Sequence, residues 1–312
     1  MRRSSPYTVL VTGSGGFLGG QLLAALAAQG DRVLTMGTRA LARPGGTHHL
    51  VDDLTDARAF SRLFSSLRPD WIIHLGGTTH GSDTQLYTIN ALWGLAILRG
   101  ASLLTSPPAV LLTGSAAEYG PQGANPGSSF GHEIDENTPC LPVTPYGISK
   151  LAQTLHGLAF SRKQPVVVAR PFNIVGADMP ESLALGSFIR QVAAMPPEGG
   201  TLCTGSLHAE RDFIGVKDVA CLLAALIHCP KATGCVVNLC TGQGTRMNDL
   251  VQALIAASPS PVRLDCAPPT QENDVSVGSC RGLRELGLQV PDNPLQELLR
   301  TVFAPESPSP PA

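Results

Sequence analysis

The chain is short of charge, of long apolar runs and of paired cysteines, and each shortage removes a class of function. Charged residues make up 15% of its 312 positions, and the formal net charge is −2. Such a chain carries no field for a polyanion, so neither nucleic acid nor an anionic membrane is an expected partner. No run reaches the ~18 apolar residues that a membrane-spanning helix needs. The start, MRRSSPYTVLVTGSGGFLGG, turns from basic to apolar as a secretory signal does. However, Gly13, Gly15, Gly16, Gly19 and Gly20 break its apolar run, so it is read as part of the fold. The eight cysteines (140, 203, 221, 229, 235, 240, 266 and 280) form no CxxC pair, and neither they nor the eight histidines show zinc-type spacing. They read as reduced, mostly buried thiols of a cytoplasmic protein, with no metal site expected. His74 and His156 read as packing residues.

What is present is enough for a core, since 43% of residues are hydrophobic, and the length suits one large domain or two small ones. Short β-branched runs alternate with longer Ala/Leu-rich segments. YTVLVT (7–12) reads as a strand and FLGGQLLAALAAQG (17–30) as a helix closed by Gly30. RVLTM follows as a strand, 56–67 as a helix, 71–76 as a strand, 84–104 as a helix and 109–114 as a strand. Helix 146–163 and strand 165–170 come next. This alternation predicts an α/β fold with a Rossmann-type, doubly wound parallel sheet. Beyond Arg170 the pattern loosens around a helix at 182–195. Helix 216–228 and strand 235–240 read as a return to the sheet, and broken helical segments fill 245–303. The expected division is a dinucleotide-binding domain over 1–173, rejoined by 216–240, and a smaller C-terminal substrate-binding lobe from 174–215 and 241–303. The proline-rich end, 304–312, is expected to be a disordered tail. No internal repeat is visible.

Three groups of residues carry chemistry. Gly13, Gly16 and Gly19 in TGSGGFLG follow a strand and open a helix. Such glycines allow a tight turn and a close approach to a pyrophosphate, which the helix N-terminus stabilises. At the end of the second strand an acid would bind a ribose 2′-hydroxyl and favour NAD. Here Gly37 stands in that place with Arg39 two residues on, which suits the 2′-phosphate of NADP and makes NAD the lesser expectation. The competing reading of Arg39 is a solvated surface arginine. Asp53 and Leu54 are placed at the adenine edge, unless Asp53 simply leads into a helix. In TPYGISK, Tyr146 and Lys150 are one helical turn apart on one face. An ammonium there is expected to lower the phenol pKa and to reach the nicotinamide ribose. Tyr146 could then give a proton to a carbonyl oxygen. Ser115, just past the strand 109–114, would hydrogen-bond the same oxygen. A lone Tyr/Lys pair is more often a surface or packing pair; the dinucleotide turn and the strand-end serine favour the catalytic reading.

With these residues in place, the chain over 7–303 resembles the extended short-chain dehydrogenases/reductases, the NAD-dependent epimerase/dehydratase family. TGSGGFLG, HLGG (74–77), TGSAAEYG (113–120), YGISK (146–150), RPFNIVG (170–176) and RDFIGVKDVA (211–220) look like the family's blocks in the family's order. The resemblance implies Ser115, Tyr146 and Lys150 as a catalytic triad. It adds Phe17, Leu18, Leu75, Gly76, Gly77 and Asn90 around the cofactor, with Asn90 structural or water-holding. It implies Asn173 and Arg211 at the substrate, Arg211 against a diphosphate, and a homodimer acting on a small molecule, possibly a nucleotide sugar. Within the family the look is nearest to GDP-4-keto-6-deoxy-mannose reductases and their dehydratase relatives.

Two absences refine that resemblance. The dehydratases carry an acid two places after the triad Ser/Thr, whereas Ala116 and Ala117 follow Ser115 here. Unless Glu118 turns inward, elimination of water is disfavoured. An Arg-Pro-x-Asp block in the C-terminal lobe is also missing: Gln271 or Glu272 stands where its arginine is expected, with Arg246 or Arg263 as conceivable substitutes. The 121–133 insert is either a substrate lid or a surface loop. The leading expectation is therefore an NADP-dependent carbonyl reductase of a 4-keto-6-deoxy nucleotide sugar or a related keto compound. The alternatives are a nucleotide-sugar epimerase with tightly held NAD(P), a reductase of a non-nucleotide secondary-metabolite ketone, and a non-catalytic NADP(H)-binding sensor or scaffold.

Overall fold

A computed structural model describes residues 6–40, 47–121, 133–268 and 274–301. The 304–312 tail, Gln271 and Glu272, and nearly all of the 121–133 insert lie outside these residues. The strands in chain order are β1 (Thr8–Thr12), β2 (Arg32–Gly37), β3 (His48–Leu50), β4 (Trp71–His74), β5 (Ala109–Thr113), β6 (Val166–Pro171), β7 (Asn173–Val175), β8 (Gly200–Thr204), β9 (Glu210–Gly215), β10 (Val236–Leu239), β11 (Gly244–Arg246), β12 (Val262–Cys266) and β13 (Val275–Ser276). The helices are α1 (Phe17–Ala28), α2 (Ala57–Leu67), α3 (Asp83–Tyr87), α4 (Trp93–Ser102), α5 (Pro145–Phe160), α6 (Ala184–Ala193), α7 (Val216–Ile227), α8 (Met247–Ala257), α9 (Arg281–Glu285) and α10 (Leu295–Thr301).

Seven strands form one sheet in the order β10-β6-β5-β4-β1-β2-β3, and every neighbouring pair in it is parallel. Alternate residues of these strands feed opposite faces, as the two-residue strand period requires. Val9, Val11, Ile73, Leu111 and Val167 bury against α1 and α7. Leu10, Ile72, Val110, Leu112 and Val168 bury with Phe60 and Phe64 of α2 and Ile97 and Leu98 of α4. Each such side chain contributes about 1.5–3 kcal/mol by leaving water. Because both faces are covered, the strands read as continuous apolar runs.

The helices begin where the side chains allow. Asp56 caps α2 by accepting the Arg58 and Ala59 amides. Thr144 caps α5 through Gly147, with Pro145 in the first helical position. The expected 84–104 helix is interrupted: a π-helical turn, Thr88–Leu92, separates α3 from α4. The 245–303 region contains short strands as well as helices. Beside the main sheet, β9 pairs with β7, β11 and β13, and β8 pairs with β12. α6 and α8 pack around a separate cluster that includes Leu185, Phe188, Leu202, Met247 and Leu250.

The sheet changes its direction of growth between β1 and β4. In an open parallel sheet such a switch leaves a crevice at the carboxyl ends of the strands.

Candidate active site

A cavity of about 710 Å³ opens at those ends. The glycine turn after β1 leads directly into Phe17 and Leu18, which line it. Gly13 has φ +68°, and a Cβ there would stand 2.9 Å from the Gly76 amide nitrogen. A Cβ on Gly19 would stand 2.5 Å from the Ser14 carbonyl. Only glycine lets this turn close so tightly. Gly16 is the N-cap of α1, and no side chain caps the helix or places an acid in its first turn. Ser14 Oγ is buried in the turn without a hydrogen-bond partner. A glycine cradle, an uncapped helix N-terminus and an orphaned hydroxyl are what a pyrophosphate would satisfy. Phe17 and Leu18 of α1 line the cavity, as do Leu75 and Gly77 beyond β4, while Gly76 packs against the Trp93 ring.

Asn90 sits in the π-helical turn, fully buried. Its amide donates to the Thr78 carbonyl (2.8 Å) and to Ser149 Oγ (3.0 Å), and its oxygen accepts from the Thr78 amide (2.8 Å). It ties the segment after β4 to α5.

Ser115, Tyr146 and Lys150 all line the same cavity. Ser115 caps a one-turn helix, Ala116–Glu118, by accepting the Ala117 amide (3.2 Å). Burial is the main cause that raises the Tyr146 phenol above its ordinary value; hydrogen bonding from Ser115 opposes this and the nearby Glu118 carboxylate adds to it. That corrects the expectation that Lys150 lowers the phenol. The Lys150 ammonium is directed elsewhere, donating to the Thr113 carbonyl (2.8 Å) and Gln153 Oε1 (3.3 Å). Burial brings Lys150 down to about 8, with Glu118 pulling in the opposite direction.

The remaining expected residues are distributed more widely. Arg39 is exposed, and its carbonyl accepts from His48 Nε2 (2.9 Å). Asp53 is exposed and accepts the Thr55 amide (2.7 Å) and hydroxyl (2.6 Å), bonds that lower its pKa. Leu54 packs on the edge of the α2–α4 core. None of these three lines the cavity. Asn173 and Arg211 do, and both also line a second cavity of about 590 Å³. Asn173 donates to the Asp212 carbonyl (2.8 Å). The Arg211 guanidinium pairs with the Asp274 carboxylate and donates to the carbonyls of Asp274 (2.7 Å) and Glu210 (3.0 Å). Arg246 and Arg263 line neither cavity.

Glu118 does turn inward, although not toward the cavity. It is fully buried and pairs with Arg170 (2.8 Å), and it is absent from the cavity lining that Ala116 and Ala117 form. Glu118, Arg170, Gln153 and Asp274 were not anticipated as site residues. For Glu118 a signal exists, since Ser115-x-x-Glu118 has capping-box spacing.

A model of the NAD dependent epimerase/dehydratase family matches residues 9–240. The chain belongs to this family. It is an NAD(P)-dependent enzyme of the extended short-chain dehydrogenase/reductase type. Its relatives in the family include the dTDP-6-deoxy-L-talose 4-dehydrogenase (NAD(P)(+)) of Kitasatospora kifunensis, 30% identical over 98% of both chains. The GDP-6-deoxy-D-mannose reductase of Pseudomonas aeruginosa is 29% identical over 79% of this chain and 78% of that one. The structure of RMD from Pseudomonas aeruginosa complexed with NADPH superposes with a TM-score of 0.76 at 26% identity, covering 96% of this chain and 97% of the other. Among the described residues, no helix of this family member is long and apolar enough to cross a membrane.

Proposed function

We propose that this chain is an NADPH-dependent reductase of the keto group of a 4-keto-6-deoxy nucleotide sugar. The observation that carries the reading is the meeting of Ser115, Tyr146 and Lys150 on one cavity that Phe17 and Leu18, which open α1 just after the glycine turn, also line. Bound NADPH supplies the reducing equivalent. The raised Tyr146 phenol is protonated at neutral pH, which is the form that can donate to a carbonyl oxygen as its carbon is reduced. Ser115 is placed to hydrogen-bond the phenol and to steady the same oxygen. Lys150, protonated below about 8, lines the same cavity and would hold the cofactor ribose. Ala116 and Ala117 present methyl groups where an eliminating acid would stand, so the proposal excludes dehydration.

The substrate class rests on the two adjacent cavities. Arg211 stands on the wall they share, where the diphosphate between a sugar and a base would compete with Asp274 for its guanidinium. Two relatives act on 6-deoxyhexoses linked to nucleotides, as their names state. NADP is preferred because Gly37 ends β2 without a carboxylate and Arg39 lies two residues beyond it.

The test is NADPH oxidation with GDP- and dTDP-linked 4-keto-6-deoxyhexoses. Oxidation should match product one to one; product formed without net NADPH loss would mean epimerisation instead. Intact nucleotide hexoses should not lose water when incubated with NADP⁺. Arg39→Ala should lower the NADP⁺ over NAD⁺ affinity ratio by about tenfold, the loss of one charge-assisted contact. Tighter binding of NAD⁺ by the unmodified protein would end the cofactor assignment.

A further inference from the structure

Beneath the cavity lies a buried ion pair that the proposed reaction does not use. Glu118 divides its carboxylate between two partners. Oε1 accepts the Ser115 amide (2.8 Å) and Oε2 accepts Arg170 Nε (2.8 Å). The chain of bonds continues: Arg170 Nη1 donates to Tyr119 Oη (3.0 Å), and Tyr119 donates to Asn238 Oδ1 (2.7 Å). Asn238 in turn donates its side-chain amide to the Ile134 carbonyl (2.9 Å) and its backbone amide to Glu136 Oε1 (2.9 Å). Strands β6 and β10 therefore hold the turn that carries Ser115. The fit is close, since a Cβ on Gly114 would stand 2.3 Å from Glu118 Oε1. A structural ion pair could be replaced by apolar residues at little loss. This one is bonded to the backbone of a proposed catalytic serine.

We propose that Glu118, locked by Arg170, is a positioning residue of the reaction: it fixes Ser115 beside Tyr146 and keeps a negative charge buried under the proton-donating pair. The proposal rests on the assignment of Tyr146 as proton donor. The charged and titratable groups facing Glu118 are Arg170 on β6, Lys150 on α5 and Cys140 on the segment before α5; Tyr146, on α5, is affected by it in turn. The carboxylate raises both Tyr146 and Lys150. Removing it lowers both, so the phenol loses its proton at a lower pH.

The experiment is an ultraviolet titration of phenolate in the full chain, which needs no substrate. The difference between the unmodified protein and Tyr146→Phe reports Tyr146 alone. The same difference is then taken in a Glu118→Gln background. The expected result is a midpoint lower by about one pH unit, a tenfold change in the proton equilibrium. The alkaline limb of NADPH oxidation should shift with it, kcat should fall at least tenfold, and NADPH affinity should stay within about twofold. Glu118→Gln leaves Arg170 unpaired and could fail to fold, so the double variant Glu118→Leu/Arg170→Met, which removes both charges, is titrated in parallel. A purely structural pair lowers the melting temperature and leaves the Tyr146 midpoint in place. An unchanged or raised midpoint in folded Glu118→Gln, or a folded double variant whose kcat stays within about twofold of the unmodified protein, overturns the proposal. Absence of NADPH oxidation by the unmodified protein, with the midpoint shift still present, would instead fault the substrate assignment.

Discussion

Tyr146→Phe removes one oxygen and keeps the ring. If the phenol is the proton donor, kcat should fall by about 10²–10⁴-fold with NADPH affinity little changed. Lys150→Met should damage turnover and cofactor binding together. Single-turnover reduction and NADPH titration on folded protein check both, and near-normal reduction by Tyr146→Phe would sink the assignment. His74 carries a different prediction. It is fully buried at the end of β4, with Nδ1 2.7 Å from Thr12 Oγ1. Burial, followed by the Lys150 charge, lowers it from about 6.5 to about 3. Between those values the unfolded chain binds the proton and the folded chain does not. Its contribution is therefore intact above pH 6.5 and declines as pH falls toward 3, at about 1.4 kcal/mol per unit. In His74→Asn, urea titrations from pH 7 to pH 4 should show a shallower loss than the unmodified protein; equal slopes would contradict this. At this scale, residue types and spacings were readable in advance, whereas directions were not. TPYGISK places Tyr146 and Lys150 on one face, yet it does not say that the ammonium reaches the Thr113 carbonyl. That bond depends on a strand 37 positions away in sequence.

The turn between β1 and α1 is a unit whose glycines act together. Gly13→Ala forces a side chain to φ +68° and against the Gly76 backbone. The left-handed conformation alone costs roughly 1–2 kcal/mol, so NADPH affinity should fall at least about tenfold by fluorescence titration. Unchanged affinity would mean that the turn does not hold the cofactor. Elements with strong periodicity or strong punctuation were legible. The central strands stand out as β-branched runs such as Val166–Val168, and α5 is announced by Thr144 and Pro145. β3 has three residues, too few for any alternation to register. The π-helical turn was hidden for a different reason. It spans only Thr88–Leu92 between two α-helical stretches, too short to break the apolar pattern, so 84–104 still reads as one helix. Asn90, which meets Thr78 and Ser149, lies within that turn. The short strands β11 and β13 were hidden because β9, which pairs with both, is remote in sequence.

At the scale of the whole molecule, the parallel sheet was foreseeable from the alternation of strands and helices, since a right-handed crossover leaves few other arrangements. The other side of the cavity was less so: Asn173 and Arg211, which line both cavities, lie on different strands. The seventh sheet strand has its own consequence. β10 covers the outer edge of β6, with the Val168 amide bonded to the Cys235 carbonyl and the Phe172 amide to the Leu239 carbonyl. A chain ending at residue 173 should leave that edge bare and sediment as aggregate; a soluble, folded fragment would contradict this. During synthesis every molecule passes through that state. Val236 leaves the ribosome well after Pro171, and the intervening stretch, at about 5–20 residues per second, takes roughly 3–13 s. For that interval the nascent sheet has a sticky margin, so chaperone demand should peak late in translation, with Tyr146 already made and the sheet still open.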